Sequence, residues 1–216
     1  MKDVLLLCDD HWHPAEIIEL GIKPLEHLFH FTVIKTAKDI LTPELLAKYS
    51  VIVCCKGNAV NSSNTNPWFE EGVTEVCPRE FEEYVRNGGG FLSLHSGNTS
   101  KEGEAYTDFV GNYFVGHPPR CTVEVKVTSS HPITENIKDF TIRDEHYIIK
   151  VTAPDADVFL KTYSETGGEQ VGGYTRSLGK GRLCVLTPGH TLGVWQQEAF
   201  RQLLINAINW CGEVIN

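Results

Sequence analysis

The sequence predicts a doubly wound α/β fold, with a mostly parallel sheet and an antiparallel addition in the C-terminal half. Three observations carry this expectation. Continuous apolar runs of strand length recur along the first half, helix-period segments separate them, and the pattern turns to apolar–polar alternation after about residue 118. Alternating strands and helices build right-handed βαβ units, and such units form a parallel sheet covered on both faces.

The elements follow in order. "DVLLLCD" (3–9) is a continuous apolar run suited to a strand buried on both faces. "AEIIELGIKPLEHLF" has helical periodicity, interrupted near Gly21 and Pro24. "FTVIKT" reads as a second strand, and "TPELLAKY" as a short helix with Thr42 as N-cap and Pro43 in its first position. "VIVCCKG" is a third strand. "PREFEEYVRNGGG" is a helix with Pro78 near its start, Phe81, Tyr84 and Val85 on one face, and Gly88 placed to end it. "FLSLH" is the fourth strand, and "YTDFVGNYFVG" reads as a further helix that leads into a loop at "GHPP". The alternating "CTVEVKVTS" suits a half-exposed strand. "ADVFLKTYS" follows, and "QVGGYTRSLGKGRLCVLTP" supplies two strands joined around Gly179, Lys180 and Gly181. "QQEAFRQLLINAINWC" closes the chain as a helix with an apolar stripe of Phe200, Leu203, Leu204, Ala207, Ile208 and Trp210. No repeat, low-complexity tract or linker interrupts the pattern, so residues 1–216 read as one domain with one substantial core.

Composition narrows the function classes. A net charge of −9 opposes phosphate backbones and argues against nucleic-acid binding. No run reaches the roughly 18–20 apolar residues of a membrane span. The opening apolar stretch is too short for a secretory signal and meets Asp9 and Asp10 at once, so a cytoplasmic setting is expected. The seven cysteines show no CxxC spacing, and an odd number suits free thiols. The sequons at Asn61 and Asn98 carry little meaning in such a setting.

In doubly wound sheets ligands bind beyond the carboxyl ends of the parallel strands. Those ends carry Asp9 to His13 after the first strand, Lys56, Gly57 and Asn58 after the third, His95 to Asn98 after the fourth, and Pro188 to Thr191 after the last. Three of these four places hold a histidine, in a chain with nine in all, which favours a site there.

Several motifs then line up. "GGGFLSLHSG", "GHPP", "HPIT", "DEHY", "GKGRLCVLTPGHT" and "FRQLLINAINW" occur in the order seen in the ThuA-like family, named for trehalose utilisation, and the chain resembles that family over nearly its whole length. The resemblance implies a flavodoxin-like fold similar to class I glutamine amidotransferases. It also implies that His95, in Ser93-Leu94-His95-Ser96-Gly97, stands where an amidotransferase carries its nucleophilic cysteine. Without that thiolate no γ-glutamyl thioester forms, and glutaminase activity is not expected.

His95, His190 and Glu145 are therefore the candidate catalytic residues, for acid–base work at a sugar hydroxyl or at a carbon beside a carbonyl. His13, His95 and His190, with Glu145 as a further carboxylate, are also candidate ligands for a divalent metal such as zinc or manganese. Trp12, His13, Asn58 and His117 are the candidate substrate-binding residues. Trp12 and Trp195 could each stack on a sugar or fill the core, and His117 and His131 stay open between structure and function. His27, His30, His146 and Asp144 read as structural, His11 is set aside, and Arg176 and Lys180 read as a solvated hairpin tip. The resemblance implies carbohydrate catabolism, with a disaccharide or oxidised keto-sugar as the small-molecule substrate. The alternative is a non-catalytic sugar-binding or regulatory module. The acidic composition suits a neutral sugar better than a phosphorylated one. A homodimer is compatible with such a sheet, but no interface is readable.

Overall fold

In the computed structural model, which describes residues 1–58 and 67–215, the first apolar run forms strand β1 (Lys2–Leu7) of a nine-stranded sheet. Successive side chains of a strand point to opposite faces, so Val4 and Leu6 enter one hydrophobic cluster while Leu5 and Leu7 enter the other. The helix α1 (Ala15–Ile22) buries Ile18 and Ile22 on the first face, and strand β2 (Phe29–Ile34) pairs parallel with β1. Helix α2 (Pro43–Leu46) starts where Thr42 Oγ1 accepts the Leu45 N–H at 3.1 Å. Strand β3 (Val51–Cys54) pairs parallel with the other side of β1.

Helix α3 (Pro78–Arg86) is fixed at its start by the Cys77 N–H donating to Glu80 Oε2 at 2.8 Å, and ends at Gly88 with φ of 110°. Strand β4 (Gly90–Leu94) then joins β3 in parallel. Helix α4 (Ala105–Val110) is followed by strand β5 (Asn112–Gly116), so the segment "YTDFVGNYFVG" is half helix and half strand rather than one helix. The divider is Gly111 at φ of 88°, and residues beyond it pair antiparallel with a later strand, β8 (Ile148–Val151). His117 thus follows a strand.

Strands β6 (Cys121–Val127), β7 (Phe140–Asp144), β9 (Asp157–Ser164) and β10 (Gly168–Leu178) form the antiparallel half, and β11 (Gly181–Leu186) returns to the parallel half beside β4. The order is β2-β1-β3-β4-β11-β10-β9-β6-β7, with the β5–β8 pair as a separate small sheet. The resulting fold is α/β and flavodoxin-like. The closing helical segment is in two pieces, α5 (Leu192–Gln196) and α6 (Glu198–Cys211), because Gln197 is extended (φ −67°, ψ 126°). Helix α6 seats Phe200, Leu203, Leu204, Ala207 and Ile208 on the first face, each larger side chain contributing about 1.5–3 kcal/mol by burial.

Other expectations resolve in the same frame. Arg176 is no solvated tip: its Nε donates to Asp155 Oδ1 at 2.9 Å and its Nη1 to the Phe109 carbonyl at 2.7 Å. Trp195 is core, packed against Gly21 and donating from Nε1 to the Gly189 carbonyl at 2.8 Å. His146 is buried between Ser164 Oγ (2.6 Å) and Thr162 Oγ1 (3.0 Å). The Asn98 sequon is buried, and the Asn61 sequon lies outside the described residues. Among the described residues no helix is long and apolar enough to cross a membrane.

Chain order places the crevice. From β1 the chain goes to β2 on one side and then to β3 on the other, so the loops after β1 and β3 diverge over a switch point. Close packing there has a definite requirement: a Cβ on Gly97 would lie 2.2 Å from the Cys54 carbonyl oxygen and 2.9 Å from Ser93 Oγ. Gly97→Ala is expected to destabilise the protein by about 2–3 kcal/mol, whereas Gly193→Ala, on the exposed face of α5, is expected to be neutral or slightly stabilising. Urea unfolding of both variants beside wild type checks this, and equal midpoints would contradict it.

His131 caps the turn Pro132–Thr134, its Nδ1 accepting the Ile133 N–H at 3.1 Å. Burial holds its imidazole below the usual histidine range, so the folded state keeps the ring neutral. The unfolded chain binds a proton at this ring below about pH 6.5, and stability is therefore lost as pH falls through that value. His131→Asn, a cap that does not titrate, should lessen this loss in urea unfolding measured on either side of that pH, the part due to the buried His95 and His146 remaining; an unchanged slope would refute the assignment.

Candidate functional site

The elbow after β4 is the first part of the site. Leu94 ends the strand, and His95 opens a short 3-10 turn, His95–Asn98, with φ of 44°. A non-glycine residue in this left-handed region is strained by about 1–3 kcal/mol and persists only where its surroundings over-determine it. Here the Asn98 amide donates to the Leu186 carbonyl at 3.1 Å, and its Oδ1 accepts from Ser93 Oγ at 2.7 Å. On the other side a Cβ on Gly189 would lie 3.0 Å from His95 Cβ. The His95 ring is buried and donates from Nδ1 to the Thr187 carbonyl at 2.7 Å, which leaves the Nε2 lone pair facing the crevice. Burial, reinforced by nearby His13, holds this imidazole well below its ordinary value, so it stays neutral.

The loop after β1 supplies His13. Asp10 orients it: Oδ1 accepts from His13 Nδ1 at 2.7 Å and from the Trp12 and His13 amides, while Oδ2 accepts the Gly57 N–H at 2.7 Å. Burial alone would raise the Asp10 carboxyl, but the His13 ring and these amides outweigh it and keep the acid below its usual range. Lys56, only 1% exposed, donates from Nζ to the Asp9 carbonyl and so ties the end of β3 to the same loop.

The loop after β11 supplies His190. Asp144, at the end of β7, accepts the Gly189 N–H at 2.8 Å and the His190 N–H at 3.1 Å. Its carboxyl is pushed up to about 6 by burial, against the pull of the amides it accepts. Glu145 follows directly. Burial would raise it, but His190, His117 and His13 outweigh burial and hold it below the usual carboxylate range.

These loops bring four side chains together. Glu145 Oε2 is 3.1 Å from His190 Nδ1 and 3.8 Å from His95 Nε2, and the two imidazole nitrogens are 3.3 Å apart. One donor atom from each of His13, His95, Glu145 and His190 lies within 4.8 Å of the others. Bonds of about 2.1 Å in a tetrahedral zinc site would separate neighbouring donors by about 3.4 Å. The two lone-pair acceptors, Glu145 Oε2 and His95 Nε2, flank a place that either the Nδ1 proton of His190 or one cation can fill.

The cluster opens on a cavity of about 480 Å³ whose walls include Trp12, Phe114, His117, Arg120 and Tyr147. Trp12 is 66% exposed at its edge. His117 Nε2 is 3.6 Å from Glu145 Oε2, and its ring stacks on Tyr147 with centroids 5.6 Å apart. Asn58 is placed differently. Its Oδ1 accepts the Trp68 and Phe69 amides at 2.7 and 3.0 Å, so its side chain organises the chain around residues 67–69. Tyr147, Arg120 and Lys101 line the cavity without having been singled out in the sequence. Tyr147 stacks on His95 at 4.0 Å, and its hydroxyl is 3.1 Å from His13 Nε2. Its only sequence signal was its place in "DEHY", between two strands that alternation did not reveal.

A family model described as ThuA, trehalose utilisation, matches residues 9–211. Among curated proteins none matches. The chain is similar in structure to a ThuA-like protein from Bacteroides uniformis (TM-score 0.74, 20% identity, covering 97% of this chain and 91% of that one). A ThuA-like protein from Parabacteroides merdae gives a TM-score of 0.73 at 17% identity, covering 100% and 92%. A cytoplasmic protein from Salmonella typhimurium gives 0.70 at 14% identity, covering 97% and 99%.

Asp144→Asn would set an amide N–H against one of the two backbone N–H groups, leaving a buried donor unpaired. A loss of about 1–3 kcal/mol in urea unfolding is expected, together with a shifted His190 imidazole resonance in NMR spectra. Wild-type stability with an unmoved resonance would rule out this role.

Proposed function

The chain belongs to the ThuA (trehalose utilisation) family, and from that premise we propose that it is a carbohydrate-processing enzyme whose His13, His95, Glu145 and His190 hold one divalent cation. Membership points to a role in trehalose utilisation. The finer reading is an enzyme acting on a disaccharide or an oxidised keto-sugar by hydrolysis, isomerisation or lyase cleavage. The observation that carries it is the convergence of four donor atoms within 4.8 Å at strand ends, beside a cavity of sugar-accommodating size.

The donor set suits zinc or manganese: neutral imidazoles and one carboxylate, two of the rings oriented by hydrogen bonds from Nδ1 to Asp10 and to the Thr187 carbonyl. A bound ion would supply Lewis-acid polarisation of a sugar oxygen. The remaining work belongs to the chain. Trp12 and Phe114 offer apolar faces to a sugar ring, and Tyr147, its hydroxyl kept protonated by burial, can donate a hydrogen bond to a substrate oxygen. A second reading is favoured by one observation. In the chain Tyr147–His13–Asp10, the tyrosine donates to His13 Nε2 while His13 donates to the carboxylate, an arrangement suited to metal-free proton transfer. A cytoplasmic location belongs to this proposal, supported by the Salmonella relative described as cytoplasmic.

Metal content by plasma mass spectrometry on untagged protein tests the primary reading. About one zinc or manganese per chain is expected in wild type, with most of it lost in His95→Ala and in the near-isosteric Glu145→Gln. Wild type that stays metal-free in the presence of added ions overturns the metal reading. Turnover of keto-sugars by that protein would then favour the proton relay, and sugar binding without turnover a non-catalytic module.

A further inference from the structure

We infer that the ligand of this cavity is a sugar bearing an oxyanion group, a carboxylate or a phosphate, which Lys101 and Arg120 receive while the sugar body lies over the histidine–glutamate cluster. The inference deepens the metal reading and rests on it. It also reverses the neutral sugar expected from overall charge, because a ligand meets the charge of the cavity before that of the whole chain.

Apart from histidines, the ionisable side chains with full charges in the cavity wall, among the described residues, are Asp10, Glu145, Lys101 and Arg120, besides the buried hydroxyl of Tyr147. Both carboxylates already have work. Asp10 spends its oxygens on His13 and on the Trp12, His13 and Gly57 amides. Glu145 faces His190 at 3.1 Å and would be a ligand of the cation. The two basic side chains are not committed in this way. Arg120 approaches Glu145 only at 3.8 Å through Nε and is 54% exposed, leaving the paired outer N–H groups of its guanidinium to meet an oxyanion in the plane they prefer. Lys101 forms no ion pair among the described residues.

Loading the site changes the balance. Without an ion the two carboxylates match the two basic side chains. With a divalent ion drawing on Glu145, the wall carries two positive charges in excess, in a chain whose net charge is −9. An anionic ligand compensates that excess, and a neutral sugar does not. The two cations are also well placed to fix orientation. Lys101 stands in the loop beyond the His95 elbow, a loop tied to β5 by the Phe114 N–H donating to the Ser100 carbonyl at 2.8 Å. Arg120 immediately precedes β6, so the pair comes from two separate segments of the wall. An oxyanion held by these side chains would leave the rest of the sugar in the cavity that Tyr147 and the cluster also line.

Titration calorimetry on the full chain loaded with zinc or manganese, using D-glucuronate, D-glucose 6-phosphate, D-glucose and trehalose, tests this. At least one anionic sugar should bind about tenfold more tightly than glucose, since one charge-assisted contact is worth about that factor. Tighter glucuronate identifies a carboxylate, and tighter glucose 6-phosphate identifies a phosphate ester. Lys101→Ala and Arg120→Ala should each weaken anion binding about three- to tenfold with metal content unchanged, and added salt should erode the preference. Glucose or trehalose binding as tightly as both anions, or an undiminished preference in the double variant, overturns the inference. Metal content measured on the same samples separates the two readings. Metal-loaded protein without anion preference fails here alone, whereas metal-free protein fails the parent reading whatever it binds.

Discussion

The left-handed turn at His95 is the constraint on which the rest of the site depends. A strand that is buried on both faces must end abruptly if its last side chain is to face a crevice, and φ of 44° achieves that within one residue. The conformation is unfavourable on its own. It is held because Gly97 lets the turn close against the Cys54 carbonyl, Asn98 bridges to β11, and Gly189 leaves room for the His95 Cβ. Strain at one backbone position is offset by close packing at three neighbours, and the imidazole gains a fixed direction as a result.

Direction also decides chemistry. Each histidine of the cluster except His190 has Nδ1 bound to an acceptor that cannot donate: Asp10 for His13 and the Thr187 carbonyl for His95. The His95 Nε2 lone pair therefore faces the ligand space, while that of His13 accepts from the Tyr147 hydroxyl 3.1 Å away. His190 is fixed through its backbone instead, by Asp144, and its Nδ1 lies between Glu145 and His95. The site thus has two rings with predetermined tautomers and one able to exchange its proton for a cation.

The parallel half of the fold was legible in the sequence because burial on both faces leaves continuous apolar runs, as in 3–9 and 51–55, and because Pro43, Pro78 and Gly88 mark helix ends by their backbone chemistry. Placing candidate site residues after those strands then needed only the topological rule, which pointed to His13, His95 and His190, and these do converge. What stayed hidden depends on tertiary pairing. Strand β5 is short and follows a helix directly, so only Gly111 and Asn112 betray the change. Tyr147 sits between β7 and β8, strands whose partners are distant in sequence, and nothing local marks its ring as the neighbour of His95. Asn58 looked free for a ligand because its partners, the Trp68 and Phe69 amides, lie across a loop.

The small β5–β8 sheet stands apart from the nine-stranded one. Its strand β5 brings Phe114 to the cavity and leads directly to His117, while His13, His95 and His190 are anchored on the main sheet. The two sheets meet at Tyr147, which leads into β8 and stacks on His95 at 4.0 Å. Substitutions at Phe114 of β5 reshape the cavity wall, whereas changes at the start of β8 also reach the candidate cluster. A new cavity shape is accordingly better grafted onto β5 and the loop that carries His117 than onto the β7–β8 connection that carries Glu145 and Tyr147.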